Sequence, residues 1–399
     1  MIRMKVLMLG WEFPPFSSGG LGTHCYYLTK SLKEKNTQIT FIMPGGSERI
    51  EPGIKLITTG SMRIIRLNVT LKPYRPSLSR EVKIIASETP KEVYDESFFS
   101  NVKRYNELAC EIGLEEDFDI IHCHDWMTFD AGVRLKKETG KPLVVTIHST
   151  EFDRTGGLSV NDYISHMEWY GMFHADKVIT VSNYMKKRIV EKYSVPPEKI
   201  KVIYNAVNPE EFWPSEIKPG FDEKIVLFLG RITLQKGPDY FLEAAKLVLE
   251  KEKNVKFVVV GKGDMLPSLI EKSLQLGIIN HVFFTGYQKD IKTIYSMADV
   301  YVMPSVSEPF GITALEAMSS GTPVIVSKQS GISEAVKHRL TVDFWDVKEL
   351  ANKILGVLRY SPVKNELSKN GLQEARRMTW DRVAEKTLNV YHSVLQYYM

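Results

Sequence analysis

Two glutamates in the last third of the chain, Glu308 and Glu316, lie on either side of a short segment, Gly311, Ile312 and Thr313, that opens a helical pattern. Backbone N–H groups at a helix start can bind a phosphate, and carboxylates accept hydrogen bonds from sugar hydroxyls. Glu308 precedes the helix whereas Glu316 lies one turn inside it, so the two do not share a helical face. We therefore expect Glu308 to bind sugar hydroxyls and Glu316 to reach a ribose.

Basic residues follow the first predicted strand of the second half of the chain. Gly230 and Arg231 begin a loop that continues through Lys236 into a helix. A planar guanidinium and a lysine point charge together can neutralise a diphosphate. The alternative is a solvated basic loop, which is the weaker interpretation because the loop lies at the edge of the sheet where ligands bind.

The charge balance of the whole chain shows that any phosphate site must be built locally. Lys+Arg number 52 and Asp+Glu 48, a formal net charge of +4. No dense basic block accompanies this surplus, so nucleic-acid binding is not expected.

The first loop offers a second local site, because Gly19 and Gly20 precede a helical pattern where N–H groups can approach an anion. A plain tight loop is an equally good interpretation, since the motif is not a full G-x-G-x-x-G.

Histidines cluster at the ends of two predicted strands of the first half. His122 and His124 alternate along a strand and share a face, but a third metal ligand is not evident nearby. We therefore favour a polar rim, with Asp125 reaching a sugar hydroxyl, over a zinc site. His148 ends the next strand, which places it at the mouth of a cleft, and we favour a functional role for it over a buried structural one.

The elements that position these residues follow an alternation of short apolar runs and amphipathic stretches. Such runs are typical of parallel strands covered on both faces, and the alternation predicts an α/β doubly wound architecture. In the first half the predicted strands are Lys5–Gly10, Gln38–Pro44, Asp119–His124, Pro142–His148, Lys177–Ser182 and Lys201–Val207.

A linker with three prolines, Asn208–Gly220, separates this half from a second alternation. The predicted strands there are Ile225–Gly230, Val255–Gly261, Val282–Gly286, Val300–Pro304 and Pro323–Ser327. The residues after Asp346 have only helical patterns. The stretch Leu71–Pro90 fits neither period and is predicted to be an irregular excursion.

Composition narrows the class of protein further. Hydrophobic residues make up 43% and charged residues 25% of the 399, which excludes a disordered or fibrous chain. Three scattered cysteines exclude a disulfide framework and fit a reducing compartment. No signal peptide and no apolar run of 18 residues is evident, so we expect a cytoplasmic protein without a membrane span.

Taken together, these motifs resemble those of a known family. The spacing of Glu308 and Glu316 is similar to the E-x7-E motif of retaining glycosyltransferases of the GT-B fold. The resemblance extends over nearly the whole chain and is closest to family 4, including archaeal proteins labelled glycogen synthase. The other residues that match the motifs of this family are Gly19-Gly20, His148, Arg231 with Lys236, Gly261–Asp264, Pro304-Ser305 and Gly321–Ile325.

The resemblance implies two Rossmann-like doubly wound domains facing each other across a cleft. Residues 1–207 would form the acceptor-side domain and residues 208–376 the nucleotide-sugar-binding domain. Residues 377–399, which contain Thr379-Trp380-Asp381, would return as a helix to the first domain. Closure of the cleft is expected, because it would limit hydrolysis of the donor.

The resemblance also implies a role for each candidate residue. Arg231 and Lys236 would hold the diphosphate, with Gly19, Gly20, Gly230 and the N–H groups of Gly311, Ile312 and Thr313 around it. Glu308 would bind the 3- and 4-hydroxyls of the donor sugar and Glu316 the ribose. His148 would lie near the 6-hydroxyl and the anomeric carbon, and Tyr287 would contact the base through its backbone. Asn205 and Asp125 would line the sugar site.

The family chemistry uses no bound metal and no cofactor besides the sugar nucleotide. A metal-dependent transferase would show a D-x-D motif, and Asp117-Phe118-Asp119 has that form. It precedes its strand, so we interpret it as a turn at the edge opposite the cleft. Two departures from the family pattern concern Ser17, where bacterial synthases have lysine, and the segment Gly331–Asp343, which lacks the usual glycine-containing loop.

The function implied is transfer of glucose, with retention, from ADP- or UDP-glucose to an α-glucan or a small glucose acceptor. One alternative is a family 4 transferase that uses another sugar nucleotide and a lipid or small-molecule acceptor. For a lipid acceptor, Leu71–Arg80 is a weak candidate surface. Alternatives of another class are a non-catalytic sugar-nucleotide binder, a phosphorylase or an epimerase of the same fold. No sequence context singles out a Schiff-base lysine for a phosphorylase.

Overall fold

A computed structural model describes residues 4–13, 19–44, 55–59, 62–67, 96–214 and 222–398. The described residues of the first half form eight strands and six α-helices: β1 Lys5–Leu9, α1 Gly20–Glu34, β2 Gln38–Pro44, β3 Lys55–Thr59, β4 Met62–Leu67, α2 Glu96–Glu115, β5 Ile120–His124, α3 Phe129–Thr139, β6 Leu143–Ile147, α4 Glu151–Arg154, α5 Asp162–His174, β7 Lys177–Thr180, α6 Asn183–Tyr193 and β8 Ile200–Val202.

The second half contains six strands and eight helices among the described residues: β9 Lys224–Leu229, α7 Pro238–Leu249, β10 Val255–Val260, α8 Leu266–Gln275, β11 Val282–Gly286, α9 Ile291–Met297, β12 Val300–Met303, α10 Ile312–Ser319, β13 Val324–Ser327, α11 Ile332–Ala335, β14 Leu340–Val342, α12 Val347–Arg359, α13 Ser361–Ala375 and α14 Trp380–Leu395.

The strands form two separate sheets. The first has the order β3-β4-β2-β1-β5-β6-β7-β8 and the second β11-β10-β9-β12-β13-β14. All neighbours pair in parallel except β3 with β4. In the centre of the first sheet, Leu7 lies opposite Thr40 on one side and Ile121 on the other. The predicted α/β doubly wound class is confirmed for both sheets.

The apolar runs identified in the sequence form the centres of the sheets. All five residues of β5 and all five of β6 are buried, as expected for strands with helices on both faces. One buried apolar cluster continues beyond the first sheet into the second half, where Phe212 and Tyr295 pack with ring centroids 6.1 Å apart. The two sheets therefore share apolar contacts at the base of the cleft.

Helix α14 crosses back from the second half to the first sheet and packs on α1. The indole ring of Trp380 stacks on Tyr27, and Lys35 Nζ lies 2.6 Å from Asp381 Oδ1. Buried Tyr391 reaches further in, where its hydroxyl lies 2.6 Å from His122 Nδ1. The returning helix that the resemblance implied is thus confirmed.

The structure differs from the sequence prediction at the sheet margins. The strand predicted as Lys201–Val207 ends at Val202, and three strands were not predicted: β3, β4 and the short β14. β3, β8 and β14 are edge strands, which pair on one side only, so their sequences need not form continuous apolar runs. β4 pairs on both sides, with β3 and β2, and its two arginines interrupt the apolar run that the sequence pattern requires. Ser17, Leu71–Pro90 and the end of the linker lie outside the described residues. Within the described part of the chain, none of the helices combines the length and apolarity needed to cross a membrane.

Candidate active site

The candidate residues lie beyond the carboxyl ends of the two sheets. Asp125 follows β5 and His148 follows β6, while Arg231, Tyr287 and Glu308 lie after β9, β11 and β12. Parallel strands open their ligand-binding crevice at this edge. The D-x-D motif lies at the opposite edge, where Asp119 Oδ2 accepts a hydrogen bond from the N–H of Lys5 at the amino end of β1.

Lys236 and Glu308 form an ion pair between the loop after β9 and the loop after β12. Lys236 Nζ lies 2.5 Å from Glu308 Oε2, and the Ser305 hydroxyl is 3.3 Å from the same oxygen. Glu308 is only 6% exposed. Its backbone is held as well, because its N–H donates to the carbonyl of Gln329 and its carbonyl accepts from the N–H of Gly331. The carboxylate is therefore fixed in position beside the basic loop.

The loop after β9, which carries Arg231 and Lys236, passes so close to the turn after β10 that only glycine fits at two positions of that turn. A Cβ on Gly261, whose φ is +140°, would lie 1.9 Å from the carbonyl oxygen of Gly230. A Cβ on Gly263 would lie 2.0 Å from the Ile232 carbonyl. Within the loop, the Arg231 guanidinium donates to Gln235 Oε1 at 3.2 Å. The Gly261–Gly263 turn therefore supports the backbone that carries Arg231.

The two predicted phosphate-binding segments face each other across the cleft. Helix α1 begins at Gly20 and α10 at Ile312, with Gly19 and Gly311 as their N-caps. A methyl group on Gly20 would lie 3.4 Å from Ile312 Cδ1. The Thr313 hydroxyl accepts a hydrogen bond from Tyr301 OH at 2.8 Å. Two helix N-termini thus converge, which concentrates favourable potential for an anion at one place.

Glu316 lies inside α10 and is buried. Its Oε2 accepts a hydrogen bond of 2.9 Å from Tyr295 OH. Burial raises the pKa of this carboxyl to about 7, against an ordinary value of 4.5. Tyr287, which follows Gly286, is 66% exposed, in contrast to Glu316. An exposed side chain is compatible with the expected contact to the base, because that contact is made by the backbone.

Three histidines meet at the carboxyl ends of β5 and β6. His124 Nδ1 lies 3.1 Å from His148 Nε2, and the His24 ring packs edge-on against His148 with centroids 4.4 Å apart. One ring nitrogen from each of the three lies within 4.8 Å of the others. Burial lowers the pKa of His24 to about 4 and holds the pKa of the other two well below their ordinary values, so all three are neutral at pH 7.

Asn205 belongs to the same cluster. It is buried, and its Oδ1 lies 2.7 Å from His24 Nδ1. An amide oxygen only accepts hydrogen bonds, so this contact places the proton of His24 on Nδ1 and leaves a lone pair on Nε2. His122, which the sequence paired with His124 at a polar rim, is instead fully buried and bonded to Tyr391 and Thr146.

Asp125 holds the backbone of His148. Its Oδ1 accepts a hydrogen bond of 2.7 Å from the N–H of His148. This oxygen therefore holds the protein backbone in addition to any contact that it makes with a sugar. Its φ of 60° and ψ of 165° lie in a region that residues other than glycine rarely adopt. Burial raises the pKa of the Asp125 carboxyl to about 7. A strained, buried carboxyl beside His148 is typical of a functional site.

Hydrogen bonds between the two halves of the chain surround Glu308. Ser307 Oγ donates to Asp153 Oδ1 at 2.8 Å and lies 2.7 Å from the Arg188 guanidinium. On the other side of Glu308, the Pro309 carbonyl accepts from the Ser182 hydroxyl at 2.6 Å. The loop that carries Glu308 is therefore anchored to the half that carries His148.

Sequence reasoning did not find several of these contacts. His24 and Asp153 have no motif around them that signals a role, and their partners lie more than 150 residues away along the chain. Arg154 ends α4, six residues after His148. The structure buries it between Glu151 and Glu168, where it fixes the turn after His148.

Comparisons with known proteins identify the family of the chain. The model of Glycosyltransferase Family 4 matches residues 18–211, and that of Glycosyl transferases group 1 matches residues 209–374. An uncharacterized glycosyltransferase of Methanocaldococcus jannaschii is 34% identical, with 98% of this chain and 99% of that protein aligned. The chain therefore belongs to the family 4 glycosyltransferases and is a transferase of the GT-B fold.

More distant relatives carry specific names. A glycogen synthase of Mycobacterium tuberculosis is 24% identical over 97% of this chain and 94% of its own length. A D-inositol 3-phosphate glycosyltransferase of Thermobispora bispora is 25% identical over 95% and 91%. Among solved structures, sucrose-phosphate synthase from Thermosynechococcus elongatus superposes with a TM-score of 0.80 at 21% identity, covering 99% of this chain and all of that one.

Proposed function

We propose that this glycosyltransferase moves glucose, with retention of configuration, from ADP- or UDP-glucose to an α-glucan or a small glucose acceptor. The bond between the anomeric carbon and the diphosphate breaks, and a bond from the same face of that carbon to an acceptor hydroxyl forms. The acceptor hydroxyl gives its proton to the departing diphosphate, and the nucleoside diphosphate leaves. Each candidate residue has a place in this reaction.

The observation that carries the proposal is the contact between Lys236 and Glu308. A diphosphate and a sugar are adjacent parts of one donor, and they need a cation and a hydrogen-bond acceptor within a few ångströms of each other. Lys236 would bind the diphosphate and Glu308 the 3- and 4-hydroxyls of glucose. In the free protein Lys236 neutralises Glu308, so the buried carboxylate of Glu308 has a charged partner before the donor binds.

Charge develops on the diphosphate as its bond to the sugar breaks. Arg231 and Lys236 would stabilise it from the loop after β9, and the N–H groups around Gly20 and Ile312 would do so from the two helix starts. Fixed donors of this kind stabilise a transition state without reorganisation. They supply the charge that a metal provides in other transferases, and we propose that transfer proceeds at an unchanged rate after chelation with EDTA.

The nucleoside would extend along the carboxyl edge of the second sheet. Glu316 would accept hydrogen bonds from the ribose hydroxyls, and the backbone after Gly286, at Tyr287, would contact the base. On the opposite wall His148 would lie near the 6-hydroxyl and the anomeric carbon, with Asp125 and Asn205 behind it. We propose that residues 1–207 and 208–376 supply these two walls.

The test is incubation of the protein with ADP-glucose and with UDP-glucose, each with and without maltooligosaccharides. We expect nucleoside diphosphate release that depends on the acceptor, with one glucose added per diphosphate. Release of free sugar without an acceptor would favour an epimerase or a hydrolase. Binding without release would favour a non-catalytic binding protein.

A second candidate is transfer to a small non-glucan acceptor from another sugar nucleotide. It is favoured by the relative named D-inositol 3-phosphate glycosyltransferase, which matches this chain over nearly the same length as the glycogen synthase does. A panel of sugar phosphates, inositol phosphates and lipid-linked acceptors, offered with UDP-glucose, ADP-glucose, UDP-galactose and UDP-N-acetylglucosamine, separates the two. Extension of the panel acceptors in place of maltooligosaccharides would support this second candidate.

A further inference from the structure

We propose that His24, His124 and His148 form a binding site for one transition-metal ion of the zinc class, and that this ion inhibits sugar transfer. The three residues come from α1, β5 and the residue after β6. Each offers one imidazole nitrogen, and these nitrogens lie within 4.8 Å of one another. Three neutral imidazoles with an open fourth position are a common ligand set for zinc.

The spacing needs little adjustment to accept an ion. Two nitrogens bound to one tetrahedral zinc at about 2.0–2.1 Å lie about 3.3 Å apart. His124 Nδ1 and His148 Nε2 already lie 3.1 Å apart. In the metal-bound state both would present lone pairs to the ion instead of sharing a proton. The third nitrogen, from His24, lies within 4.8 Å of the other two, so it would need to approach them by up to about 1.5 Å.

His124 would bind the ion through Nδ1, the nitrogen that lies 3.1 Å from His148 Nε2. Its Nε2 would then carry the ring proton, and this buried atom has no hydrogen-bond partner among the described residues. His122, two residues earlier on the same face, is not available as a ligand because both of its nitrogens are bonded to protein groups.

The groups behind His24 resemble those that orient metal ligands. Histidine ligands usually donate their second ring N–H to an oxygen, which fixes the tautomer. Asn205 Oδ1 accepts from His24 Nδ1 in this way. The ring is also held by Trp380 of α14, which packs against it with centroids 5.4 Å apart. His24 is thus prepared to offer Nε2.

The ion would enter from the cleft. His24 and His124 are buried, whereas His148 is half-buried at the cleft edge. A fourth ligand would be water or an oxygen of a bound molecule. The inhibitory part of the proposal rests on the proposed function, which places the donor sugar beside His148. An ion bound to His148 would occupy that space, so metal binding and sugar transfer would exclude each other.

Zinc binding is measured on the full chain alone, without sugar nucleotide, so the result does not depend on the proposed activity. After dialysis against EDTA and then buffer, zinc chloride is titrated by calorimetry. Cobalt chloride is titrated in parallel, because tetrahedral Co²⁺ gives strong visible absorption bands. We expect one ion per chain for the wild type, and at least about 100-fold weaker binding for His24→Gln, His124→Gln and His148→Gln.

Two further variants test the assignment. Asn205→Ala should weaken zinc binding by about 10–100-fold, because it removes the oxygen that orients His24. His392→Gln, at an exposed position on α14, is the matched control and should bind zinc like the wild type. Circular dichroism establishes which variants fold. His148→Gln and Asn205→Ala carry the test if the changes at His24 and His124 prevent folding.

The proposal is overturned if the wild type binds less than one zinc ion per chain, or if folded His148→Gln and His24→Gln bind zinc as tightly as the wild type. In a transfer assay, zinc at the concentration that saturates the wild-type site should abolish transfer, and EDTA should restore it. Unchanged transfer at saturating zinc would refute the inhibitory role.

Discussion

Lys236 Nζ lies 2.5 Å from Glu308 Oε2, and this contact joins the basic loop after β9 to the acidic loop after β12. Neither residue is close to the other in sequence, since 72 positions separate them. The pair brings together the two chemical functions that a sugar diphosphate requires, a cation for phosphate and an acceptor for hydroxyls. Its position at the carboxyl edge of the second sheet agrees with the general placement of ligands in doubly wound folds.

Replacing Lys236 with alanine should abolish most of the transfer activity. The variant loses a fixed positive charge at the leaving group, and loss of one preorganised donor typically lowers the rate about 10²–10³-fold. Glu308→Gln should have a comparable effect, because an amide is a weaker acceptor for the donor hydroxyls. Initial rates at saturating donor are the measurement. Lys253→Ala, an exposed lysine in the loop before β10, is the control, and wild-type rates in Lys236→Ala would contradict the assignment.

The same pair makes a prediction about stability. Lys236→Met leaves the buried Glu308 carboxylate without its partner, which should lower the free energy of unfolding by about 1–3 kcal/mol. The double variant Lys236→Met with Glu308→Gln removes both charges and should regain most of this loss. Urea unfolding of the four proteins gives the coupling energy. Additive losses in the double variant would show that the two side chains do not interact in solution.

Glu316 should make the stability depend on pH. Burial raises the pKa of its carboxyl from 4.5 to about 7, so between these values the folded protein keeps a proton that the unfolded chain releases. The contribution of Glu316 to the free energy of unfolding should therefore be largest below pH 4.5, fall by about 3 kcal/mol as the pH rises to 7, and then level off. Glu316→Gln lacks this contribution. The difference in unfolding free energy between wild type and variant, measured from pH 4.5 to 8, tests it, and a difference independent of pH would refute it.

Asp125 allows a test that separates backbone strain from hydrogen bonding. At φ 60° and ψ 165° a glycine is unstrained, whereas other residues cost about 1–3 kcal/mol. Asp125→Gly should therefore be more stable than Asp125→Ala by a similar amount. Asp125→Asn keeps an oxygen for the N–H of His148 and should retain most of the activity, whereas Asp125→Ala should lose about tenfold. Thermal unfolding and transfer rates are the measurements, and equal stability of the glycine and alanine variants would contradict the strain.

Ser307 tests the connection between the two halves of the chain. Ser307→Ala removes the hydroxyl that binds Asp153 and Arg188 beside Glu308. We expect roughly tenfold slower transfer, because one hydrogen bond to a charged group contributes about 1.5–3 kcal/mol and here it orients a binding residue. Ser361→Ala, at an exposed position in the first turn of α13, is the control. Unchanged transfer in Ser307→Ala would show that this contact does not position Glu308.

The central strands and the edge of the sheet that carries the site could be predicted from the sequence. Continuous apolar runs such as those of β5 and β6 report burial on both faces, and residues directly after them must lie at the crevice. The same pattern correctly places His148, Arg231 and Glu308 at the carboxyl ends of their strands. Short edge strands such as β14 show no such pattern.

The contacts between distant segments could not be predicted. His24 lies on α1, and nothing in its neighbourhood indicates that it meets His148 and Asn205. The same holds for Ser307 and Asp153, which meet only because the two sheets pack against each other. The contacts of His24 depend on how α1 packs on its own sheet, and the contact of Ser307 with Asp153 depends on how the two halves of the chain lie relative to each other. Periodicity and motifs report only local structure.

The most direct test of the proposed function is the proton NMR spectrum of the product formed from ADP- or UDP-glucose and maltotriose. We predict one nucleoside diphosphate released for each new glucosidic bond, and an anomeric proton with the small coupling constant of an α-linkage. The Glu308→Gln protein should give both signals about 10²–10³-fold more slowly. A β-linked product would contradict retention. Failure to form a new glucosidic bond, or diphosphate release that does not require the acceptor, would contradict glucosyl transfer.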